Sequence, residues 1–271
     1  MNNIKIPPSY KNVHISKDKN SKILAYGFDS KNRKQVIYNP EYIIKQKNIK
    51  YNKIIKLNKV FNKIINDIND NINLINNDEI KLTKKDIEIS IIIYLIINCG
   101  FRVGNEKYKC ENNSYGISTI RFNHIIFDKL KKNIIIDFIG KKGIKNKSEC
   151  FNNNIILYLY EKYKKTKDKN KTVFDYNSID VNNFLKKYNK KITSKDLRTW
   201  NANSLLLKYI KLPDILKNKN PIKKAIEKVS YKLHNTYNIC VKSYINPLLI
   251  EKLKYKLKNK IKNLNKYILF V

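Results

Sequence analysis

Apolar residues recur along this chain with two different periods, and the change from one to the other divides it. Near the N-terminus the period is two. Residues 22–27 (KILAYG) read as a strand, 29–33 (DSKNR) as a polar turn, and 34–38 (KQVIY) as the returning strand of a hairpin. Asn39-Pro40 breaks the alternation, and 42–50 reads as irregular or briefly helical. From about 52 to 73 the spacing turns helical, with Ile54, Leu57, Phe61, Ile64, Ile65 and Ile68 on one stripe. Residues 69–79 are rich in Asn and Asp, the composition of a linker. The boundary is therefore expected there, with an N-terminal domain over 1–75 and a second domain over 76–271.

The second domain opens on Thr83-Lys84-Lys85-Asp86, a helix start in which the threonine caps and the aspartate reaches back. The run to Ile97 is apolar all round, the mark of a core helix, and Gly100 suits its C-terminal cap. Short β pieces follow at 116–120, 133–139 and 144–151, the last two joined by Gly140-Lys141-Lys142-Gly143 as a hairpin tip. Beyond residue 155 helices dominate: 155–163, 181–188, one capped by Ser194 and running through Tyr209, one with Pro221 in its first turn reaching Leu233, and a basic one after Pro247. The expected class is α+β, a small β-rich N-terminal domain followed by a larger, mainly α domain that holds a small antiparallel sheet.

Charge narrows the partners. Lys and Arg number 57 against 22 Asp and Glu, a net +35 that favours salt-sensitive contact with a polyanion. Lys, Asn and Ile are abundant throughout, so part of the lysine excess is compositional; the scarcity of acids is not explained that way. A hydrophobic fraction of 42% is enough for a sizeable core and excludes a disordered polycation. Cys99, Cys110, Cys150 and Cys240 are scattered without a CxxC pair, which points to free thiols in a reducing compartment. The N-terminus lacks the apolar run of a signal peptide, and the longest apolar stretch, 87–97, is too short to span a bilayer. An intracellular, soluble protein without a membrane partner is expected.

No nucleotide-binding loop and no metal-hydrolase motif is present. Four local features carry candidate chemistry. Arg102 stands just past the buried helix in FRVGNEKY (101–108), Lys141 and Lys142 on the hairpin tip, Arg198 in the helix start KDLRTW (195–200), and His234-Asn235 shortly before Tyr244 in SYINP (243–247). Singly each has an ordinary explanation, and Tyr244 is one of 19 tyrosines.

In this order, together with AYGFD (25–29), RKQVIY (33–38) and NSYGI followed by Thr119 (113–119), they resemble the type IB DNA topoisomerases, in particular the compact poxvirus and bacterial branch. The likeness covers nearly the whole chain. It implies a DNA-clamping N-terminal domain and the catalytic fold shared by tyrosine recombinases and type IB topoisomerases. The implied enzyme nicks one strand of double-stranded DNA, forms a 3′-phosphotyrosyl link, relaxes supercoils of either sign and religates. It needs no ATP, cofactor or metal, and acts as a monomer clamped around DNA. A cytoplasmic site is implied, within a viral factory or virion if the source is a large DNA virus.

By the same resemblance Tyr244 is the nucleophile, Arg102 and Arg198 neutralise the phosphate, and Lys141 is the general acid. Asn235 is the neutral donor where poxvirus members carry histidine; His234, one step earlier where the family usually has glycine, is the alternative. Gln35, Tyr38, Lys107, Tyr108, Lys142 and Lys195 are implied DNA contacts. The residue types suit the task. Only about 0.1% of an ordinary tyrosine is phenolate at neutral pH, and two permanently charged, planar guanidiniums match charge growing on phosphate oxygens. A tyrosine recombinase is the main alternative. It typically carries histidine three residues before the second arginine, where this chain has Lys195, and a helical N-terminal domain. A non-enzymatic DNA-packaging protein is the second.

Overall fold

The computed structural model describes residues 4–75, 82–106, 113–128 and 130–259. The implied contacts Lys107 and Tyr108 lie outside them. By packing, the chain divides into two compact units, Met1–Lys56 and Leu57–Val271.

The first unit is an antiparallel meander of β1 (Lys11–Ile15), β2 (Ile23–Phe28) and β3 (Lys34–Tyr38), followed by helix α1 (Pro40–Lys56). The hairpin expected from alternation forms with Tyr26 opposite Val36 and Phe28 opposite Lys34. Its turn is organised by Asp29, whose carboxylate accepts from the backbone amides of Lys31 and Arg33, both at 3.0 Å, and from Arg33 Nε at 2.8 Å. Arg33 holds the Asp29 carboxyl down to about 2. The structure adds β1, exposed along its whole length, and makes the stretch at 42–50, expected to be irregular or briefly helical, part of the longer helix α1. Pro40 opens that helix, as its fixed φ and missing N–H suit a first turn.

The helical stripe expected from 52 to 73 is two helices. α1 ends at Lys56, and α2 (Asn58–Asn73) belongs to the second unit, so the packing boundary falls some way before the expected linker. The reason is the apolar face of α2: Phe61, Ile64, Ile68 and Ile72, all buried, at helical spacing. It packs on α3 (Lys84–Asn98), and a helix with such a face follows its burial, not the polar residues after it.

α3 is the core helix, capped by Thr83, whose Oγ accepts from Asp86 N at 3.1 Å. Its two buried polar groups are both answered. Ser90 Oγ accepts from Asn71, and Glu88 accepts from Lys162 Nζ at 2.5 Å, Tyr158 OH at 3.2 Å and the Asp175 amide at 2.7 Å. An unpaired carboxylate could not stay buried there.

A second antiparallel sheet of β4 (Ile125–Asp128), β5 (Asn133–Ile139) and β6 (Lys145–Cys150) follows. Residues 117–119 form a 3-10 turn in place of the expected strand. Its amides are taken by the chain beside it, Ile117 N to Arg102 O at 2.8 Å and Ser118 N to Val103 O at 2.7 Å. Helices complete the unit: α4 (Asn153–Lys165), α5 (Ser178–Tyr188), α6 (Ser194–Tyr209), α7 (Pro213–Leu216), α8 (Pro221–Lys232), α9 (Tyr237–Ser243) and α10 (Pro247–Lys258). Thr193, not Ser194, caps α6, in a capping box with Asp196. No helix among the described residues is long and apolar enough to cross a membrane.

Candidate active site

Two helix ends meet at the site. α3 stops at Cys99 and α8 at Leu233, and Gly100 follows the first with φ +72°. A Cβ at Gly100 would overlap the carbonyl of Lys232, so the glycine permits both the left-handed turn and the approach of α8. Arg198, from the first turns of α6, bridges the two ends. Its guanidinium donates to the carbonyl of Gly100 and, at 2.7 Å, to that of Leu233. It is 3% exposed. Last-turn carbonyls have no partner within their own helix, and a buried forked donor satisfies two at once.

The remaining groups gather around this bridge. Arg102 donates through Nη2 to Asn235 Oδ1. The Tyr244 ring lies 5.3 Å from the Arg198 guanidinium carbon and is buried. Burial by itself raises the phenol pKa, but the charges of Arg198 and Arg102, reinforced by their hydrogen bonds, outweigh it and the net shift is downward. Of the buried side-chain donors without a hydrogen-bond partner among the described residues, three belong to these groups, Arg102 Nη1, Arg198 Nε and Asn235 Nδ2; the others are Ser118 Oγ and Asn246 Nδ2. Buried donors are almost always satisfied, so such a set converging on one tyrosine marks a place for an anion.

His234 faces elsewhere. Its Nε2 lies 3.0 Å from the carbonyl of Cys99, and its ring stacks on Phe101 at 5.2 Å and 11°. Burial pulls its pKa down to about 4, so it is neutral at neutral pH. Its φ of +50° explains why glycine suits this position. Asn235, with Oδ1 on Arg102, is the member of the pair bonded to an arginine of the cluster.

Lys141 stands on the exposed tip between β5 and β6, beside Lys142, which takes φ +64°. The tip is anchored at its base: Gly140 N donates to Ile144 O at 2.8 Å, and a Cβ at Gly140 would overlap the amide of buried Asn146. Phe138 of β5 contacts Phe101 at 5.1 Å, which joins the hairpin to the residue preceding Arg102. Lys195 is exposed on the first turn of α6. Gln35 and Tyr38 belong to the first unit, where Gln35 donates to Asp29 at 2.9 Å and Tyr38 stacks on Tyr42 at 5.7 Å.

One residue of the site escaped sequence reasoning. Asn203, fully buried on α6, donates to the carbonyls of Thr199 at 2.7 Å and Tyr244 at 2.9 Å, and accepts from the Asn246 amide at 2.9 Å. It ties the tyrosine segment to the helix that carries Arg198. The available signal was weak, an asparagine just before the Leu205-Leu206-Leu207 run of a helix with many buried residues, where a polar group must have partners. Among the described residues, no three His, Cys, Asp or Glu side chains converge as a metal site would require.

Comparison with known proteins gives the family. Residues 30–268 match the family model described as eukaryotic DNA topoisomerase I, catalytic core. The DNA topoisomerase 1B of Acanthamoeba polyphaga mimivirus is 27% identical over 274 residues, covering 93% of this chain and 78% of the relative. The DNA topoisomerase 1B of vaccinia virus (strain Copenhagen) is 24% identical over 247 residues, covering 87% of this chain and 74% of the relative. DNA topoisomerase 1 of Candida albicans is 28% identical over 167 residues, which are 59% of this chain and 21% of that longer protein.

Proposed function

The chain belongs to the family of DNA topoisomerase I catalytic cores, and from that premise we propose that it relaxes duplex DNA by reversible transesterification through Tyr244. It is a type IB DNA topoisomerase of the viral type. The observation that carries the residue assignment is a buried tyrosine ring 5.3 Å from the Arg198 guanidinium carbon, with unpartnered buried donors on Arg102, Arg198 and Asn235.

The chemistry follows from that arrangement. The Tyr244 oxygen attacks the scissile phosphorus, and negative charge grows on the non-bridging oxygens. Arg102, Arg198 and Asn235 place donors for those oxygens, already desolvated and held by the protein. The 5′ oxygen leaves with a proton supplied by Lys141, and the 3′ phosphate remains on Tyr244. The link keeps the energy of the broken bond, so the freed 5′ hydroxyl reverses the step without ATP after the strand has rotated. Lys141 reaches the leaving group when the hairpin tip settles on DNA.

The first unit clamps the duplex, with Gln35 reading a base edge and Tyr38 against the backbone. Lys107, Tyr108, Lys142 and Lys195 hold phosphates around the cut, and the enzyme works as a monomer inside the cell. The test is plasmid relaxation in EDTA without ATP. Loss of supercoils of both signs is expected; a mobility shift without relaxation, or activity only on paired recombination sites, would contradict the proposal.

A further inference from the structure

Cys99 and Cys150 take no part in the transesterification, yet both thiols are buried at its edge. Cys99 ends α3, and its Sγ lies 3.6 Å from the carbonyl of Glu149. Cys150 is the last residue of β6, the strand that leads away from the Lys141 tip. Cys99 Sγ thus lies against the peptide that leads into Cys150, and each thiol shifts the ionisation of the other. We propose that Cys99 and Cys150 are an oxidisable pair, and that closing them into a disulfide switches the active site off.

The connection to the site is short. The carbonyl of Cys99 is bonded to His234 at 3.0 Å, and the carbonyl of the next residue, Gly100, is held by Arg198. His234 precedes Asn235, the partner of Arg102. Drawing the Cys99 sulfur from its place beside the Glu149 carbonyl into a covalent bond with Cys150 moves the end of α3 toward β6. It thereby pulls on the anchors of both arginines. Misplacement of reacting groups by about 1 Å can slow a reaction about 10²-fold, so a smaller displacement suffices for a tenfold effect.

The chemistry needs an oxidant of the azo or disulfide class, such as diamide or oxidised glutathione. Cys99 holds the Cys150 thiol below its ordinary pKa, whereas Cys150 and burial push Cys99 up. Cys150, at the end of a strand and with the lower pKa of the two, is assigned as the first nucleophile, reached when the strand end opens. With diamide, its sulfur adds to one azo nitrogen while the other takes a proton. Cys99 then attacks the Cys150 sulfur, forming the S–S bond and breaking the S–N bond, and the reduced hydrazine leaves with the second proton. Two thiols lose two electrons and two protons, all accepted by the azo group.

The effect on rate rests on the topoisomerase reading, but the thiol chemistry does not. The full chain is treated with diamide, unfolded and alkylated to map free cysteines, and single-turnover DNA cleavage is measured before and after dithiothreitol. The expected result is loss of alkylation at Cys99 and Cys150 together, about tenfold slower cleavage, and recovery of both on reduction. Cys150→Ser, with Cys150→Ala should the serine not fold, is expected to cleave at the untreated rate and to resist diamide. Both thiols remaining alkylatable, a linked pair with unchanged cleavage, or equal slowing of the Cys150 variant would each overturn the proposal. Absence of cleavage by the reduced protein would instead count against the proposed function.

Discussion

Replacing Arg198 with lysine separates the charge of the site from its geometry. Lysine keeps the positive charge but ends in one nitrogen, whereas the guanidinium reaches the carbonyls of Gly100 and Leu233 together. An ammonium can bond one of these and strands the other in a site where Arg198 itself is 3% exposed. A buried acceptor left unbonded costs about 1–3 kcal/mol. For a unit of roughly 150–250 residues, each kcal/mol moves the midpoint of unfolding by about 2–4 °C. Arg198→Lys should therefore lower Tm by roughly 2–12 °C. On the proposed chemistry a forked donor beside the phosphate is lost as well, and removal of one such donor slows reaction by about 10²–10³. Arg102→Lys should slow cleavage comparably with a smaller loss of Tm, because its guanidinium bonds the Asn235 side chain and bridges no helix ends. Thermal unfolding by circular dichroism and single-turnover cleavage of a defined duplex measure the two effects. An Arg198→Lys protein whose Tm matches the parent within 1 °C or so would refute the bridging role, whatever its cleavage rate.

Two further outcomes follow from the same geometry. Because Arg198 and Arg102 lower the Tyr244 pKa, the phenolate fraction rises with pH and reaches half below the ordinary value of about 10. On a substrate with a better leaving group at the 5′ position, where the general acid is not needed, the cleavage rate should rise to a plateau with its midpoint below that value. Arg102→Ala should move the midpoint upward; a midpoint at or above 10 in the parent would contradict the electrostatic account. Asn235→Ala should slow cleavage by about 10–10², since a neutral donor beside the growing charge is lost, whereas His234→Ala should change it much less. The reverse order in the same assay would make His234 the phosphate donor.

The elements with strong local signals were legible in the sequence. The β2–β3 hairpin, the core helix with its threonine cap, β5 and the helix opening on Pro221 lie where alternation, capping residues and proline put them. What was missed depends on distant partners. Strand β1 is exposed throughout, and its alternation is confined to Val13 and Ile15. Helix α2 joined the second unit because its apolar face found α3, a fact of packing and not of local composition. Strand β4 is four residues long and exists by pairing with β5. At the site, residue types and order pointed to Tyr244, Arg102, Arg198 and Asn235, which the fold brings together. The left-handed backbone of His234 and the crosslink through Asn203 came only from three-dimensional contacts. A helix-interior asparagine says that it needs partners, not which ones.

The central claim is that Tyr244 becomes covalently attached to a 3′ phosphate. The most direct measurement captures the reaction on a nicking duplex labelled on either side of the cut, followed by denaturing electrophoresis and peptide mapping. The account predicts an adduct that retains the label 5′ of the cut, maps to the peptide containing Tyr244, and vanishes in Tyr244→Phe while DNA binding persists. An adduct through a 5′ phosphate, attachment at another residue, or an undiminished adduct in Tyr244→Phe would contradict it.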